Sequence, residues 1–208
     1  MKRVVWSLAI AGMATCVLGV GDASAQAPPG VRISKVTNTG NGCKPGTTVV
    51  SLSEDGLAFT IIFSAFVAEY GPTVPNSAAQ SKCKTHIKLD APNGFTWSVK
   101  AVDHRGFANI ADGAKGLQQA TYHFRGAPQP TPWRVFEGPF FDDWHVRDEV
   151  SLAGREWAPC NGGGQLQINT EMKVERGTAG PDSESVMAAD SEDLEIEQRY
   201  HIDWKRCN

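Results

Sequence analysis

Three adjacent residues, Asp103-His104-Arg105, combine an acid, an imidazole and a permanent cation at the end of an apolar run. They could form a catalytic acid–base pair or a structural ion pair. Apolar and polar side chains alternate over residues 95–101, which predicts a strand with Asp103 on its buried side and His104 outside. Neighbours on a strand point to opposite faces, so this acid and imidazole cannot form a dyad. Asp103 and Arg105 share a face, and we predict a structural ion pair between them.

A second stretch, FFDDWH at residues 140–145, places two carboxylates beside aromatic rings. Glycosidases use two carboxyl groups, one as acid and the other as base or nucleophile. Glu137, Asp142 and Asp143 are therefore the first residues to test for hydrolysis. However, adjacent residues on an extended chain point apart, and a Gly-Pro pair precedes the stretch. We predict an exposed loop here, with sugar contact by the aromatics and a cation site as alternatives.

Carboxylates recur along two further predicted strands, residues 166–174 and 194–204. If these strands pair as a hairpin with Val174 opposite Ile196, charged side chains cover its outer face. They are Glu171, Glu175, Glu195, Glu197, Arg199, His201 and Asp203. Calcium prefers such oxygen ligands, and its candidate ligands are Glu171, Glu195, Glu197 and Asp203. No calcium loop of defined spacing is present, so a solvated face is favoured and no cofactor is predicted.

Basic residues alternate along a fourth segment, where His86 lies between Lys84 and Lys88 and follows Lys82. This pattern predicts a modest, solvent-facing basic patch. The chain as a whole has a formal net charge of −3 and no nucleic-acid-binding signature, so no nucleic-acid partner is predicted. Motifs for serine hydrolases, zinc proteases and phosphate-binding loops are also missing, which favours a protein that is not an enzyme.

Short runs with a period of two fill most of the chain and are separated by turn signals such as Pro92-Asn93-Gly94. This pattern predicts an all-β, antiparallel β-sandwich, either jelly-roll-like or Ig-like. Residues 177–193 are acidic and poor in apolar side chains, which predicts a flexible loop.

The N-terminus has the three parts of a secretory signal peptide: Lys2 and Arg3, an apolar run, and Ala23-Ser24-Ala25. We predict cleavage before Gln26, which leaves residues 26–208 as a single secreted domain with no membrane span. A retained membrane anchor is disfavoured because the run is short and glycines interrupt it. The periplasm, the cell wall and the medium all remain open as final locations.

Four cysteines remain after cleavage, and an even count in an exported chain indicates two disulfides with three pairings. A zinc site is the alternative, but no two of these cysteines have the close spacing typical of structural zinc sites. The predicted hairpin brings Cys160 near Cys207, since three glycines let the chain bend back. We therefore predict Cys160–Cys207 and, by elimination, Cys43–Cys83.

Several stretches together resemble a known family, and their order and spacing carry the resemblance. They are GCKPGT at 42–47, VDHRGFA at 102–108, FEGP at 136–139 and WAPC at 157–160. Over residues 31–207 the chain is similar to small secreted proteins known as domain of unknown function 4360. The family's usual Val-Asp-Tyr-Arg-Gly has His104 in place of its tyrosine here. The resemblance implies a secreted, disulfide-bonded, β-rich domain and implies no activity.

These observations favour a secreted, non-catalytic binding module for a glycan, the cell wall or a protein. The alternatives are a secreted polysaccharide hydrolase or lyase, whose acids meet only in the folded chain, and a secreted inhibitor of foreign enzymes.

Overall fold

The chain folds into two antiparallel β-sheets, as seen in a computed structural model that describes residues 26–124, 131, 133–160, 163–188 and 196–207. Within these residues there are twelve strands and two short 3₁₀ helices, Asn76–Ala79 and Leu152–Gly154. The predicted all-β, sandwich-like architecture is confirmed. The predicted signal peptide lies outside the described residues. Among the described residues, no helix is long and apolar enough to cross a membrane.

The first sheet has five strands. Their order across the sheet is β1 (Arg32–Thr39), β5 (Gln80–Asp90), β10 (Gly163–Glu175), β7 (Lys115–His123) and β8 (Arg134–Glu137). Side chains on β5 alternate strictly between buried and solvent-facing positions, as the period-two pattern predicts.

The second sheet has seven strands. Six follow the order β2 (Thr48–Leu52), β3 (Ala58–Phe63), β12 (Ile196–Arg206), β6 (Phe95–Ile110), β11 (Ser185–Ala188) and β4 (Val67–Tyr70). The seventh, β9 (Phe140–Glu149), pairs with residues 101–110 of β6. Since a strand has only two edges, β11 and β12 share the other edge of β6.

The apolar core lies between the two sheets and contains aromatic contacts from both. Phe59 and Tyr200 of the second sheet stack with ring centroids 4.8 Å apart. Tyr122 of the first sheet meets the Tyr200 ring edge-on at 6.3 Å. The Trp97 side chain is completely buried and contacts Phe124 edge-on at 4.6 Å. Burial of these rings against each other removes a large apolar area from water and holds the sheets together.

The predicted hairpin between residues 166–174 and 194–204 is wrong. The first segment is part of β10, between β5 and β7 in the first sheet, and the second is part of β12, between β3 and β6 in the second. Alternation shows which face of a strand is buried, but it does not show which strand lies beside it. Residues 177–193, predicted as a loop, include β11, whose Met187 is completely buried, while 189–193 lie outside the described residues.

Both predicted disulfides are confirmed. Cys43–Cys83 and Cys160–Cys207 have Cα–Cα distances of 5.4 and 5.9 Å. Because no hairpin exists, the Cys160–Cys207 pair forms for another reason. The segment before β10 runs along the start of β6, where the Ala158 amide donates to the Trp97 carbonyl at 2.9 Å. The end of β12 pairs with the other edge of β6 at Phe95 and Thr96. The two cysteines therefore meet at the same end of the second sheet.

Candidate functional site

The two stretches with the strongest chemical character are hydrogen-bonded neighbours in the second sheet. Residues 103–107 lie on β6 and residues 143–147 on β9, and the strands pair in antiparallel register. This register places Asp103 opposite Arg147, Arg105 opposite His145, and Phe107 opposite Asp143. Residues 140–149 therefore form a strand, and the predicted loop at 140–145 is wrong.

A β-bulge in β6 determines which of these side chains face solvent. His201 of β12 pairs with Ala101 and Ile202 pairs with Val99, so Lys100 is an extra residue in the ladder. Ala101 and Val102 are both completely buried, and beyond them the alternation is reversed. The prediction of a buried Asp103 and an external His104 is therefore wrong: His104 is only 1% exposed, and Asp103 lies on the outer face.

The Asp103 carboxylate is the centre of a charged cluster on this face. His201 Nε2 lies 2.6 Å from Asp103 Oδ2, and Arg147 Nη1 donates to both carboxylate oxygens at 2.9 and 3.0 Å. His145 Nε2 approaches Asp103 Oδ1 at 3.5 Å. Partial burial raises the pKa of Asp103, but the hydrogen bonds from His201 and Arg147 outweigh it, so the net pKa lies below its usual value. The carboxyl group is held in its ionised form.

The predicted ion pair between Asp103 and Arg105 is replaced by cross-strand pairs. Asp103 pairs with Arg147, whereas Arg105 Nη1 pairs with Glu197 Oε2 of β12 at 3.7 Å. Directly opposite side chains are closer than residues two apart on one strand, so the register favours these partners. Arg147 Nε also pairs with Glu149 at 2.6 Å.

An aromatic pair, the half-buried Phe107 and the exposed Phe141, continues the outer face beyond the charged cluster. Phe107 and Phe141 contact edge-on with centroids 5.3 Å apart, and the Phe141 residue is 74% exposed. Trp144 points to the inner side and covers Gly106, where a Cβ atom would lie only 2.5 Å from the Trp144 ring. We call Asp103, Arg105, Phe107, Phe141, Asp143, His145, Arg147 and His201 together the aromatic-charged face.

The three carboxyls proposed for hydrolysis do not all join this face. Glu137 lies in β8 of the first sheet, where it accepts a hydrogen bond from Lys115 at 2.9 Å. Asp142 and Asp143 are exposed neighbours on β9, so their side chains point to opposite sides of the strand. Only Asp143 belongs to the aromatic-charged face.

The calcium candidates are spread over both sheets. Glu171 is on β10, where it pairs with Lys82 at 3.5 Å, whereas Glu197 and Asp203 are on β12 and pair with Arg105 and Arg155. Glu195 lies outside the described residues. Among the residues that are described, no group of three or more His, Cys, Asp or Glu is suited to hold a metal ion.

The pattern of alternation also failed to reveal a buried histidine beneath the aromatic-charged face. His104 lies between Asp148 of β9, at 3.4 Å from Nε2, and Gln118 of β7, at 3.5 Å from Nδ1. Burial, together with the positive charge of Arg134, lowers the pKa of His104 to about 4. The imidazole is therefore neutral at pH 7. In the sequence, the adjacent apolar pair Ala101-Val102 was the one signal that the alternation of buried and exposed positions reverses here.

Sequence comparison identifies the family to which this fold belongs. The profile described as "Domain of unknown function (DUF4360)" matches residues 29–207. The chain belongs to the DUF4360 family. The match to DUF4360 spans both sheets, all four disulfide-bonded cysteines and the whole aromatic-charged face, and it confirms the predicted resemblance.

A relative of this DUF4360 chain comes from Arthroderma benhamiae and is described as an "Uncharacterized secreted protein". It is 33% identical over 188 residues, which cover 90% of this chain and 76% of the relative. Like that relative, the DUF4360 chain is a secreted protein, and its two disulfides fit an extracellular compartment.

Three solved structures are distantly similar to the DUF4360 fold. One is TmCBM61 in complex with β-1,4-galactotriose, with a TM-score of 0.29, 8% identity, and coverage of 84% of this chain and 90% of that one. The enzymatically active domain of tailspike protein 4 from bacteriophage CBA120 has a TM-score of 0.26, 13% identity, and coverage of 84% and 20%. Black queen cell virus has a TM-score of 0.26, 10% identity, and coverage of 100% and 85%. Such low TM-scores support no inference about a ligand.

Proposed function

We propose that this secreted protein is a non-catalytic binding module and that its aromatic-charged face binds glycan. The observation that carries the proposal is the Phe107–Phe141 pair, in which Phe141 is exposed, beside a row of charged side chains on the outer face of the sheet. One side of a sugar ring presents CH groups that pack on aromatic rings, while its hydroxyls need hydrogen-bond partners. A face that offers both kinds of contact suits such a ligand.

The charged part of the face can bind hydroxyl groups without conformational adjustment. The Asp103, Arg147 and His201 side chains hold each other in place through hydrogen bonds. Asp143, opposite Phe107, and His145, opposite Arg105, are exposed on the same face. Hydrogen bonds to charged groups are stronger than neutral ones, and groups already fixed lose little entropy when a ligand binds.

The electrostatics of the cluster favour binding over hydrolysis. A glycosidase needs one carboxylic acid that still carries its proton near neutral pH, which requires a raised pKa. The pKa of Asp103 is lowered by His201 and Arg147, so this group is unsuited to donate a proton to a leaving group.

A pull-down with insoluble polysaccharides tests the proposal. The mature chain, residues 26–208, is incubated with cellulose, galactan, chitin and cell walls, and both the pelleted protein and the new reducing sugar ends are measured. We expect the wild type to pellet with at least one material without releasing sugar ends. The double variant Phe107→Ala/Phe141→Ala should bind about tenfold more weakly, a loss of about 1.4 kcal/mol.

The matched control is Val49→Ala, which removes another exposed apolar side chain from the same sheet, on β2, where Val49 is 59% exposed. This variant should bind like the wild type. Equal binding by the double variant and the wild type would show that the aromatic-charged face does not bind glycan. Release of sugar ends by the wild type would identify a hydrolase instead.

A further inference from the structure

The outer face of the first sheet, on the opposite side of the sandwich, carries a groove of about 400 Å³. Its walls come from β5, β10 and β7 and from the end of β1 at Thr39 and Gly40. The side chains that line it include Lys82, Lys84, Gln119, Thr121, Asn169 and Glu171. The groove shares no residue with the aromatic-charged face, and its volume is in the range of small-ligand sites, about 300–1,000 Å³.

One side of this groove is basic. The solvent-facing residues of β5 from Lys82 to Lys88 are all lysine or histidine, which confirms the alternation predicted for this segment. Lys82 pairs with Glu171 at 3.5 Å and Lys88 with Asp90 at 3.6 Å. Lys84 makes no ion pair with any residue that the structure describes. A cation without a partner at the wall of a groove is available to a ligand's anionic group.

The neighbouring His86 supports this picture of a positive surface. Its pKa is lowered, first by partial burial and then by the positive charges of Lys84 and His123. The register explains why no acid among the described residues lies opposite Lys84 or His86 on β10. On β10, Asn169 lies opposite Lys84 and Gln167 lies opposite His86, so amides occupy the positions where carboxylates would otherwise pair.

Apart from Glu171, which pairs with Lys82, the opposite side of the groove is neutral and is ordered by hydrogen bonds. Gln167 Nε2 donates to Asn169 Oδ1 at 3.1 Å, and Asn169 Nδ2 donates to Thr121 Oγ1 at 3.2 Å. These bonds fix the side chains but leave the second Nδ2 hydrogen of Asn169 and the Thr121 hydroxyl hydrogen free to donate. Free donors beside a free cation match a ligand that carries both hydroxyl and acidic groups.

We propose that this groove is a second binding site, for an acidic polysaccharide whose carboxylate or sulfate pairs with Lys84 while its hydroxyls bind Asn169 and Thr121. Carboxylated and sulfated chains share this chemistry. A nucleic acid fits less well, because its affinity comes from several phosphate contacts at once, and the groove offers one cation that is not already paired. The site is independent of the glycan site proposed above.

The test measures affinity by isothermal titration with four soluble chains: polygalacturonate, heparan sulfate, neutral dextran and oligo(dT). We expect the mature protein to bind one or both acidic polysaccharides at 50 mM salt, and more weakly at 200 mM salt because screening increases. Binding by one acidic chain only would identify carboxylate or sulfate as the recognised group. Lys84→Gln should weaken binding about tenfold, and Asn169→Ala about threefold, in line with one lost charged and one lost neutral hydrogen bond.

The matched control is Lys205→Gln, which removes the same charge from β12 of the second sheet. It should change affinity less than twofold, and the Phe107→Ala/Phe141→Ala variant should bind the acidic chain as the wild type does. Equal losses in Lys84→Gln and Lys205→Gln would mean that only overall charge matters, which would overturn the proposal. Absence of binding to both acidic chains would also overturn it. Equally tight binding of dextran or oligo(dT) by the Phe107→Ala/Phe141→Ala variant, which lacks the aromatic pair of the other site, would overturn it too.

Discussion

The two outer faces of the sandwich both carry charged side chains but arrange them differently. In the second sheet, Asp103 of β6 lies between Arg147 of β9 and Arg199 of β12, so acids and bases alternate across the strands. In the first sheet, Lys84 and His86 of β5 lie opposite amides of β10. The second sheet therefore pairs Asp103 with Arg147 and Arg105 with Glu197 and presents aromatic rings, while Lys84 of the first sheet has no ion-pair partner among the described residues.

This difference shows that strand register, rather than composition, determines what a face can bind. The net charge of −3 does not reveal a basic surface by itself. Yet a basic row forms wherever a strand with alternating lysines pairs with a strand whose side chains are neutral. The same lysines opposite glutamates would make ion pairs that contribute little to binding.

The largest expected effect concerns the Cys160–Cys207 disulfide. Cys160→Ser/Cys207→Ser should lower the free energy of unfolding by about 4 kcal/mol if loop entropy dominates, since this disulfide closes a loop of 47 residues. Urea unfolding followed by tryptophan fluorescence measures the loss. The buried Cys43–Cys83 bond closes 40 residues, and its removal should cost nearly as much. A loss below about 1 kcal/mol in either variant would contradict the entropic account.

The second prediction concerns acid and the histidine beneath the aromatic-charged face. The pKa of His104 is about 4 in the folded chain, against an ordinary value of 6.5, so the unfolded chain binds a proton that the folded chain excludes. The free energy of unfolding should therefore fall by about 3 kcal/mol as the pH drops from 6.5 to 4, with no contribution above that window.

His104→Gln should remove most of this pH dependence, because glutamine retains hydrogen-bonding groups but does not titrate. Urea unfolding at several pH values compares the two chains. Val49→Ala, which removes no titratable group, provides the control and should leave the slope unchanged. An unchanged slope in His104→Gln would show that another group binds the proton. Asp103 affects stability at lower pH. Because its pKa is lowered in the folded chain, its contribution to the free energy of unfolding is lost only below pH 3.8.

The third prediction compares one glycine from each sheet. A Cβ on Gly106 of β6 would lie 2.5 Å from the Trp144 ring and 2.8 Å from the Ala188 carbonyl oxygen, neither of which can move easily. Gly106→Ala should destabilise the protein by about 2–3 kcal/mol. A Cβ on Gly116 of β7 would first meet the Met187 sulfur at 2.6 Å, and methionine adapts readily. Gly116→Ala should cost about 1 kcal/mol.

Thermal unfolding of both glycine variants gives the comparison directly. A greater loss in Gly116→Ala would show that the interior beneath the first sheet is the more tightly packed.

The smallest expected effect compares one carboxylate on each outer face. Asp103→Asn removes the charge that holds Arg147, His145 and His201, and should cost about 1–2 kcal/mol because several partners lose a charged hydrogen bond. Glu171→Gln on the first sheet should cost about 0.5 kcal/mol, since its ion pair with Lys82 is long at 3.5 Å and the Lys82 side chain is more than half exposed. Urea unfolding at pH 7 measures both, and equal losses would contradict the contrast between the faces.

The alternation of side chains was sufficient to predict the all-β sandwich, because residues buried on one side only must repeat every second position. The cysteine count and an export signal were sufficient to predict two disulfides. Pairing between strands was not predictable, since β10 and β12 have the same pattern yet belong to different sheets. For the same reason, the meeting of residues 103–107 with residues 143–147 could not be read from either stretch alone.

The orientation of Asp103 and His104 was predicted wrongly because one extra residue, Lys100, reverses every position that follows. The aromatic-charged face depends on this bulge. Without it, His104 would face solvent and the acid would enter the core.

The disulfide between Cys160 and Cys207 has a mechanical consequence. It joins the end of β12 in the second sheet to the segment that enters β10 in the first. Outer faces of a sandwich point in opposite directions, so polymers held on both would be cross-linked through the protein. Tension between them would load the apolar packing and the few hydrogen bonds between the sheets, such as the one from Thr170 to Gln198 at 3.1 Å. A covalent bond at one end would keep the sheets together under such a load.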